Sequence, residues 1–67
     1  MNTKRVDLSA ECIIAGDTIV HPATGLPTAV LRASYFPSRE AYRVHFCGDA
    51  PHIWLGKNAH VKLQIEI

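Results

Sequence analysis

Turn-forming residues divide this chain into short segments, and that division limits the fold more than any other feature. Glycine and proline, with polar neighbours, mark turns at Gly16-Asp17, Pro22 to Gly25, Pro27, Pro37-Ser38 and Gly48 to Pro51. The segments between these turns begin about ten residues apart and are rich in β-branched and aromatic residues, which is typical of β-strands. We therefore expect a series of short strands.

Alternation of apolar and polar residues supports this interpretation. It is clearest in 60–67, where the apolar members are Val61, Leu63, Ile65 and Ile67. A side-chain period of two predicts a strand with one buried face and one wet face. The same pattern predicts a strand over 41–47, with Tyr42, Val44 and Phe46 on its buried face. Shorter strands are expected at Ile19-Val20 and at Ile53 to Leu55.

The strand predicted over 28–36 is expected to pair with 41–47 in a central hairpin. Strict alternation assigns Leu31, Ala33 and Tyr35 to one face, and Val30, Arg32 and Ser34 to the other. The connection from Phe36 to Glu40 contains Pro37, which favours a loop longer than two residues. Segment 7–14 stays ambiguous: Asp7 or Ser9 can cap a single helical turn, whereas Ile13 and Ile14 favour a strand.

Length and composition favour one small domain over residues 1–67. The chain has 67 residues, of which 48% are hydrophobic and 19% charged, so it can form a core and disorder is not expected. We predict an all-β fold, a small barrel of five or six short antiparallel strands, because closure of a small sheet limits its exposed edges.

One stretch carries a resemblance to a known family. Ala15-Gly16-Asp17-Thr18-Ile19-Val20-His21-Pro22 is followed by Thr24-Gly25 and by Pro27 to Leu31. This resembles the opening of SH3-like small barrels, in which a Gly-Asp turn starts a strand, and the alternating C-terminal strand also fits. The chain is similar, too, to short proteins of actinobacteria and their phages. The resemblance implies an SH3-like barrel that binds protein or nucleic acid, and a phage-type regulator of host machinery; it transfers no functional residue.

The charge pattern near the first residues predicts a cytoplasmic protein. Lys4 and Arg5 are followed by Asp7 and Glu11, where a signal peptide needs an apolar stretch. The apolar runs are also too short to span a membrane, so no membrane association is expected. In the cytoplasm Cys12 and Cys47 are expected to be free thiols that pack as small hydrophobes, with a disulfide as the alternative.

The leading functional hypothesis depends on Trp54, which lies between Ile53 and Leu55. If those two side chains point inward, Trp54 points outward, where it can anchor an interface or, alternatively, cap an open end of the barrel. Tyr35 beside Trp54 would form an aromatic groove like that of SH3 domains. We therefore expect a non-enzymatic module that docks onto a protein partner, and a homo-oligomer through edge strands is a further expectation. The expected contacts are Trp54, Tyr35, Arg32 and Arg43.

The main alternative is a nucleic-acid-binding barrel. It would use a modest basic face formed by Arg32, Arg43 and Lys62. Such a face beside an aromatic ring can hold phosphates and stack bases, although a net charge of +1 disfavours a strongly electrostatic binder. The competing interpretation is an ordinary solvated face, ion-paired to Glu40 and Glu66.

A third alternative is a zinc-stabilised module. Its ligands would be Cys12, His45, Cys47 and His52. The residue types suit zinc, but the spacing lacks a C-x₂-C pair, so no metal or other cofactor is expected in the leading interpretation. Cys47 with a histidine base would also suit nucleophilic catalysis. A chain this short has little room for a water-excluded pocket, so we expect no enzymatic activity.

Overall fold

The computed structural model describes residues 2–67, which form six strands and one short 3₁₀ turn. In chain order these are β1 (Thr3–Ser9), the 3₁₀ turn (Ala10–Cys12), β2 (Thr18–Val20), β3 (Pro27–Phe36), β4 (Ala41–Phe46), β5 (Ile53–Gly56) and β6 (His60–Glu66). The predicted all-β class is confirmed, and so are the strands expected in the second half of the chain. Within residues 2–67, no helix has the length and apolar character needed to cross a membrane.

The strands form one antiparallel sheet with the spatial order β1-β6-β2-β3-β4-β5. The sheet is open, with β1 and β5 at its two edges. Strand β3 belongs to two ladders: Pro27–Ala29 pair with β2, and the rest of the strand from Val30 pairs with β4. This shared strand connects the half of the sheet that contains the chain ends to the β3-β4-β5 half. The predicted central hairpin, with its longer loop, is present as β3 and β4.

A β-bulge at Leu31 changes which residues of β3 face the core. Val30 pairs with Phe46 while Arg32 pairs with His45, so Leu31 is an extra residue without a partner. The expectation that Val30 shares a face with Arg32 is therefore wrong. Val30 is 2% exposed and Leu31 is 57% exposed. One inserted residue reverses the inward and outward assignment on one side of it, because the side-chain period of a strand is two.

The ambiguous segment 7–14 contains the end of a strand and a short helical turn, but Ile13 and Ile14, the residues that favoured a strand, lie outside any strand. Its first residues complete β1, and Ala10–Cys12 then form the 3₁₀ turn. Ser9 stands at the N-cap position but its side chain makes no cap hydrogen bond, so the expected capping role is wrong for this residue. Strand β1 pairs along its whole length with β6, from Thr3 opposite Glu66 to Ser9 opposite His60. The beginning of β1 was missed because its charged residues mask the alternation of Val6 and Leu8.

The core lies on one face of the sheet and draws on most of the elements. Its buried members are Ala10, Ile13, Ile19, Val30, Val44, Phe46, Leu55 and Val61. Burial of Val44, Phe46 and Leu55 leaves the opposite face of β4 and β5 for the side chains that alternate with them. That outer face carries the candidate functional residues.

One buried histidine connects two loops around the core. In the described range, His21 is the only polar residue that is buried. Its Nε2 lies 2.9 Å from the Pro51 carbonyl oxygen, and its Nδ1 lies 3.1 Å from the Ala23 amide nitrogen. Because a backbone amide can only donate, Nδ1 must accept and Nε2 must carry the proton. His21 therefore fixes the loop that leads into β5.

Candidate binding surface

The candidate site is the outer face of β3, β4 and β5, where the strand register places side chains in rows. Ser34, Arg43 and Trp54 are cross-strand partners and form one row. Arg32 pairs with His45 in the next row, and the His52 ring lies 5.5 Å from the His45 ring. Directly opposite residues share a face of the sheet. We call Arg32, His45 and His52 the basic row.

Trp54 is the centre of this face. Its side chain is 38% exposed, which confirms the expectation that it points away from the core. The Phe36 ring packs against it in an edge-to-face arrangement, with centroids 5.1 Å apart and planes at 66°. The Arg39 guanidinium carbon lies 4.6 Å from the Trp54 ring centroid, and that of Arg43 lies 5.7 Å away. These cation–π contacts, each worth about 0.5–1 kcal/mol at exposed sites, hold the ring in place before any partner arrives. We call Phe36, Arg39, Arg43, Trp54 and the basic row together the arginine–tryptophan face.

The arginines of this face make no ion pair with a carboxylate of the described chain. Among residues 2–67, the ion pairs join Lys57 to Glu40 and Lys62 to Asp7. Neither pair includes an arginine, so the positive charges of Arg32, Arg39 and Arg43 are not neutralised within the described chain. Glu40, which we considered as an ion-pair partner for this face, contacts Lys57 at 3.4 Å instead. The face therefore has a local positive charge although the net charge of the chain is only +1.

The Arg43 side chain has one buried polar atom, Nε, without a hydrogen-bond partner in the described structure. A buried donor without a partner destabilises a folded state by about 1–3 kcal/mol. Local features that cost stability without a structural gain concentrate at functional sites. This pattern favours a role for Arg43 outside the fold itself.

The charges around the basic row act on His45. Desolvation lowers the pKa of His45 below the usual 6.5, and the nearby charges of Arg32, Arg43 and His52 lower it further. These effects all favour the neutral form of the His45 imidazole. An anion in contact with the row would offset the same charges and favour the protonated ring.

Tyr35, one of the four expected partner contacts, lies on the other face of the sheet. It is the cross-strand partner of Tyr42, and the two rings are 4.8 Å apart. The groove expected between Tyr35 and Trp54 is therefore not formed, and Phe36 is the aromatic neighbour of Trp54 instead. Both Phe36 and Arg39 were missed as candidates. Alternation placed Tyr35 and Phe36 on opposite faces, but only the pairing of β3 with β4 and β5 decides which of them meets Trp54.

Lys62 does not join the basic face that we predicted from Arg32, Arg43 and Lys62. It lies on β6, which is separated from β3 by β2. Its Nζ is 2.6 Å from an Asp7 carboxylate oxygen. The hydrogen bond and charge of Lys62 lower the pKa of Asp7, and His60 contributes to the same shift. Lys62 is therefore neutralised within the β1-β6 ladder.

The four residues considered as zinc ligands are not brought together. Cys12 and Cys47 are free thiols and both are exposed, so the expectation that they pack as small hydrophobes is wrong. Desolvation raises the pKa of Tyr42, which lies on the core side of β4, and the charges of Glu11, Tyr35 and Cys12 add to the shift. His45 points to the opposite face. Within residues 2–67, no three side chains of metal-binding type converge.

The arginine–tryptophan face is open, and the part of the chain that the structure describes contains no pocket. Comparison of the chain with known proteins gives no match to a family model, a curated protein or a solved structure. The resemblance to SH3-like barrels and to actinobacterial and phage proteins therefore stays a prediction from the residues that carry it.

Proposed function

We propose that this chain is a small non-enzymatic interaction module that docks onto a protein partner through the arginine–tryptophan face. The observation that carries the proposal is an exposed Trp54 in contact with Arg39 and Arg43, neither of which makes an ion pair in the described chain. Tryptophan and arginine are the residue types that most often dominate the binding energy of protein interfaces. The three side chains present both types on one open surface.

Preorganisation of this surface supports the proposal. The Trp54 ring is already ordered by Phe36 and the two guanidinium groups. Ordering a flexible side chain on binding costs about 0.5–1.5 kcal/mol, and this face has less of that cost to meet. A standard interface of about 800 Å² per partner would cover roughly a fifth of the 4406 Å² surface of the domain. The face can therefore form the centre of an interface, with neighbouring strands as its rim.

The proposal includes an SH3-like small-barrel architecture. Its support is the long strand β3, which takes part in two ladders, and a core that draws on both halves of the sheet. The resemblance to phage proteins further predicts that the partner belongs to host or regulatory machinery. The identity of that partner is not specified by any residue described above.

Nucleic acid is the second candidate ligand for the same face. It is favoured by three arginines without carboxylate partners, beside aromatic rings that can stack on a base. Three phosphate contacts to a single strand would give a slope of about −2 in log affinity against log salt concentration. A docked protein centred on Trp54 would show a weaker dependence on salt.

Affinity capture with the tagged chain tests the two candidates. Lysate would be used with and without nuclease, and the original chain would be compared with Trp54→Ala. The matched control is Leu26→Ala, an equally simple truncation of a 64% exposed side chain near the other end of β3. Captured proteins would be identified and then purified, so that binding is measured directly between two components.

The proposal predicts a partner that survives nuclease, is lost with Trp54→Ala and is retained with Leu26→Ala. Capture that requires nucleic acid would favour the second candidate. Equal recovery with Trp54→Ala would overturn a docking role for this face. Sedimentation of the purified chain tests the separate prediction that copies pair through the edge strands β1 or β5.

A further inference from the structure

We infer that the partner segment received by the arginine–tryptophan face is an acidic, extended peptide. Its carboxylates lie along the basic row and Arg43, while an apolar side chain packs against Trp54. The inference rests on the proposed docking function and adds the chemistry of the partner. It depends on three features of the face: the spacing of its rows, its unneutralised charge and the angle between its aromatic rings.

The spacing of the rows matches an extended peptide. Alternate residues of a strand, such as Arg43 and His45 on β4, recur on one face about 6.6–6.8 Å apart. Alternate side chains of an extended peptide recur at the same distance. A peptide that runs along β4 over this face therefore presents one side chain near Trp54 and the next on the same side to the basic row. The recognised pattern is an apolar residue and a carboxylate two positions apart.

The charge of the face is complementary to carboxylates. Arg32 and Arg43 make no ion pair within the described residues, so a partner carboxylate displaces no existing carboxylate. A guanidinium and a carboxylate form charge-assisted hydrogen bonds that are about twice as strong as neutral ones. His45 adds a proton-linked response. The pKa of His45 is lowered in the free chain by desolvation and by Arg32, Arg43 and His52, which are the charged and titratable groups that act on it.

A carboxylate on the basic row would favour protonation of His45, so the pKa of His45 would be higher in the peptide complex than in the free chain. Affinity for the acidic peptide must then increase as the pH falls, because the group that takes up the proton is stabilised by the ligand. The affinity of a nucleic acid for this face would also increase as the pH falls, but it would depend on base stacking as well.

The aromatic geometry favours peptide over single-stranded nucleic acid. Successive bases need ring faces on which they can stack in turn. Phe36 meets Trp54 edge-on at 66°, and the Trp54 ring is already in contact with two guanidinium groups. This arrangement offers no pair of parallel platforms for adjacent bases. It does leave a partly exposed ring against which one apolar side chain can pack.

Trp54 is the only tryptophan of the chain, so its fluorescence reports directly on this face. The probe is a short tryptophan-free peptide with leucine and glutamate two positions apart. The matched control peptide has glutamine in place of glutamate, and oligothymidine is the nucleic-acid arm. Dissociation constants are determined separately at about pH 7.5 and about pH 5.5, since histidine changes its charge between them. A protonated imidazole can quench the fluorescence of Trp54, so dissociation constants are compared between the two pH values and fluorescence intensities are not.

We expect saturable binding of the glutamate peptide and none of the glutamine peptide. Affinity should rise several-fold at the lower pH, with about tenfold as the upper limit for a pKa increase of one unit on binding. Arg32→Gln should weaken binding about tenfold or more, and Lys4→Gln, which removes one exposed charge from β1, should not change it. His45→Gln should keep binding at the higher pH and lose most of the pH response. Thermal unfolding of each variant confirms that it folds.

Equal binding of the two peptides, or no binding of either, would overturn the acidic-peptide inference. Tighter binding of oligothymidine than of the glutamate peptide would overturn it in favour of nucleic acid. If capture of a protein still required Trp54 in either case, the proposed docking function would survive. In the reverse case, the glutamate peptide would bind but capture of a protein would not depend on Trp54. That result would support the peptide site and contradict the proposed docking function.

Discussion

Replacement of His21 by phenylalanine should destabilise the domain although it preserves the packing of the ring. His21 is completely buried, and its ring centroid lies 4.8 Å from that of Phe46, a contact that phenylalanine can keep. The substitution removes only polar interactions. His21 Nε2–H donates a hydrogen bond to the Pro51 carbonyl oxygen at 2.9 Å. His21 Nδ1 accepts one from the Ala23 amide at 3.1 Å and makes a longer contact of 3.4 Å with the Thr24 amide.

The size of the effect follows from the groups that lose a partner. The Pro51 carbonyl and the Ala23 amide would each be left without a protein partner, at about 1–3 kcal/mol for a buried group. Both sites are only partly buried, so water offsets some of this, and about 2–3 kcal/mol in total is expected. The whole domain is expected to have a stability of about 3–10 kcal/mol at ordinary values per residue. The corresponding fall in melting temperature is roughly 10–25 °C for a domain of this size.

Urea unfolding followed by circular dichroism measures this difference in the free energy of unfolding. His60→Phe is the matched control, because His60 is exposed on β6 and the same change there removes no buried hydrogen bond. If His21→Phe were as stable as the original chain to within about 0.5 kcal/mol, the hydrogen bonds of His21 would contribute nothing to stability and the reasoning would be refuted.

Three further predictions follow from the same structure. Gly16→Ala should lower the free energy of unfolding by about 1–2 kcal/mol, because Gly16 has a φ of +94°. The control Gly56→Ala should leave it nearly unchanged, since an added Cβ there meets nothing within 4 Å. Equal effects of the two substitutions in urea unfolding would contradict the argument from backbone conformation. The Arg43→Met variant should have the same melting temperature as the original chain or a higher one. The substitution removes a buried Nε that has no partner, while the methionine side chain keeps the packing of the aliphatic part of Arg43. A clear loss of stability would show that the guanidinium group supports the fold. An NMR titration should find the pKa of His45 below 6.5, and Arg32→Gln should raise this pKa towards 6.5. An unchanged pKa in the variant would show that Arg32 does not act on His45. Since the folded-state pKa of His45 lies below its unfolded value, its contribution to stability is present above about pH 6.5 and is lost as the pH falls through the folded pKa.

Much of the secondary structure could be predicted from local patterns. The alternation in 60–67 corresponds to β6, and Tyr42, Val44 and Phe46 do lie on the inner side of β4. These predictions succeed because inward and outward positions within one strand depend only on the backbone period of two. The outward direction of Trp54 follows from the same local rule, applied to the apolar residues on either side of it.

Local patterns fail where a strand departs from its regular period. The bulge at Leu31 places Val30 on the buried face, and the residue types in that segment do not predict a bulge. Similarly, the charged residues of β1 hide a strand whose stability comes from its pairing with β6. In both cases the deciding interactions are with another strand, and the segment's own sequence does not contain them.

The candidate surface shows the same division between local and non-local information. The chain sequence by itself determined an all-β domain with short strands, an outward Trp54, and arginines at outward positions of two strands. Only the tertiary structure decided that Arg32, Arg43 and Trp54 share one face, that Phe36 replaces Tyr35 there, and that Lys62 pairs with Asp7 elsewhere. The reason is that a shared face requires the order and register of strands distant in sequence, and a shift of one residue in register moves every side chain to the opposite face.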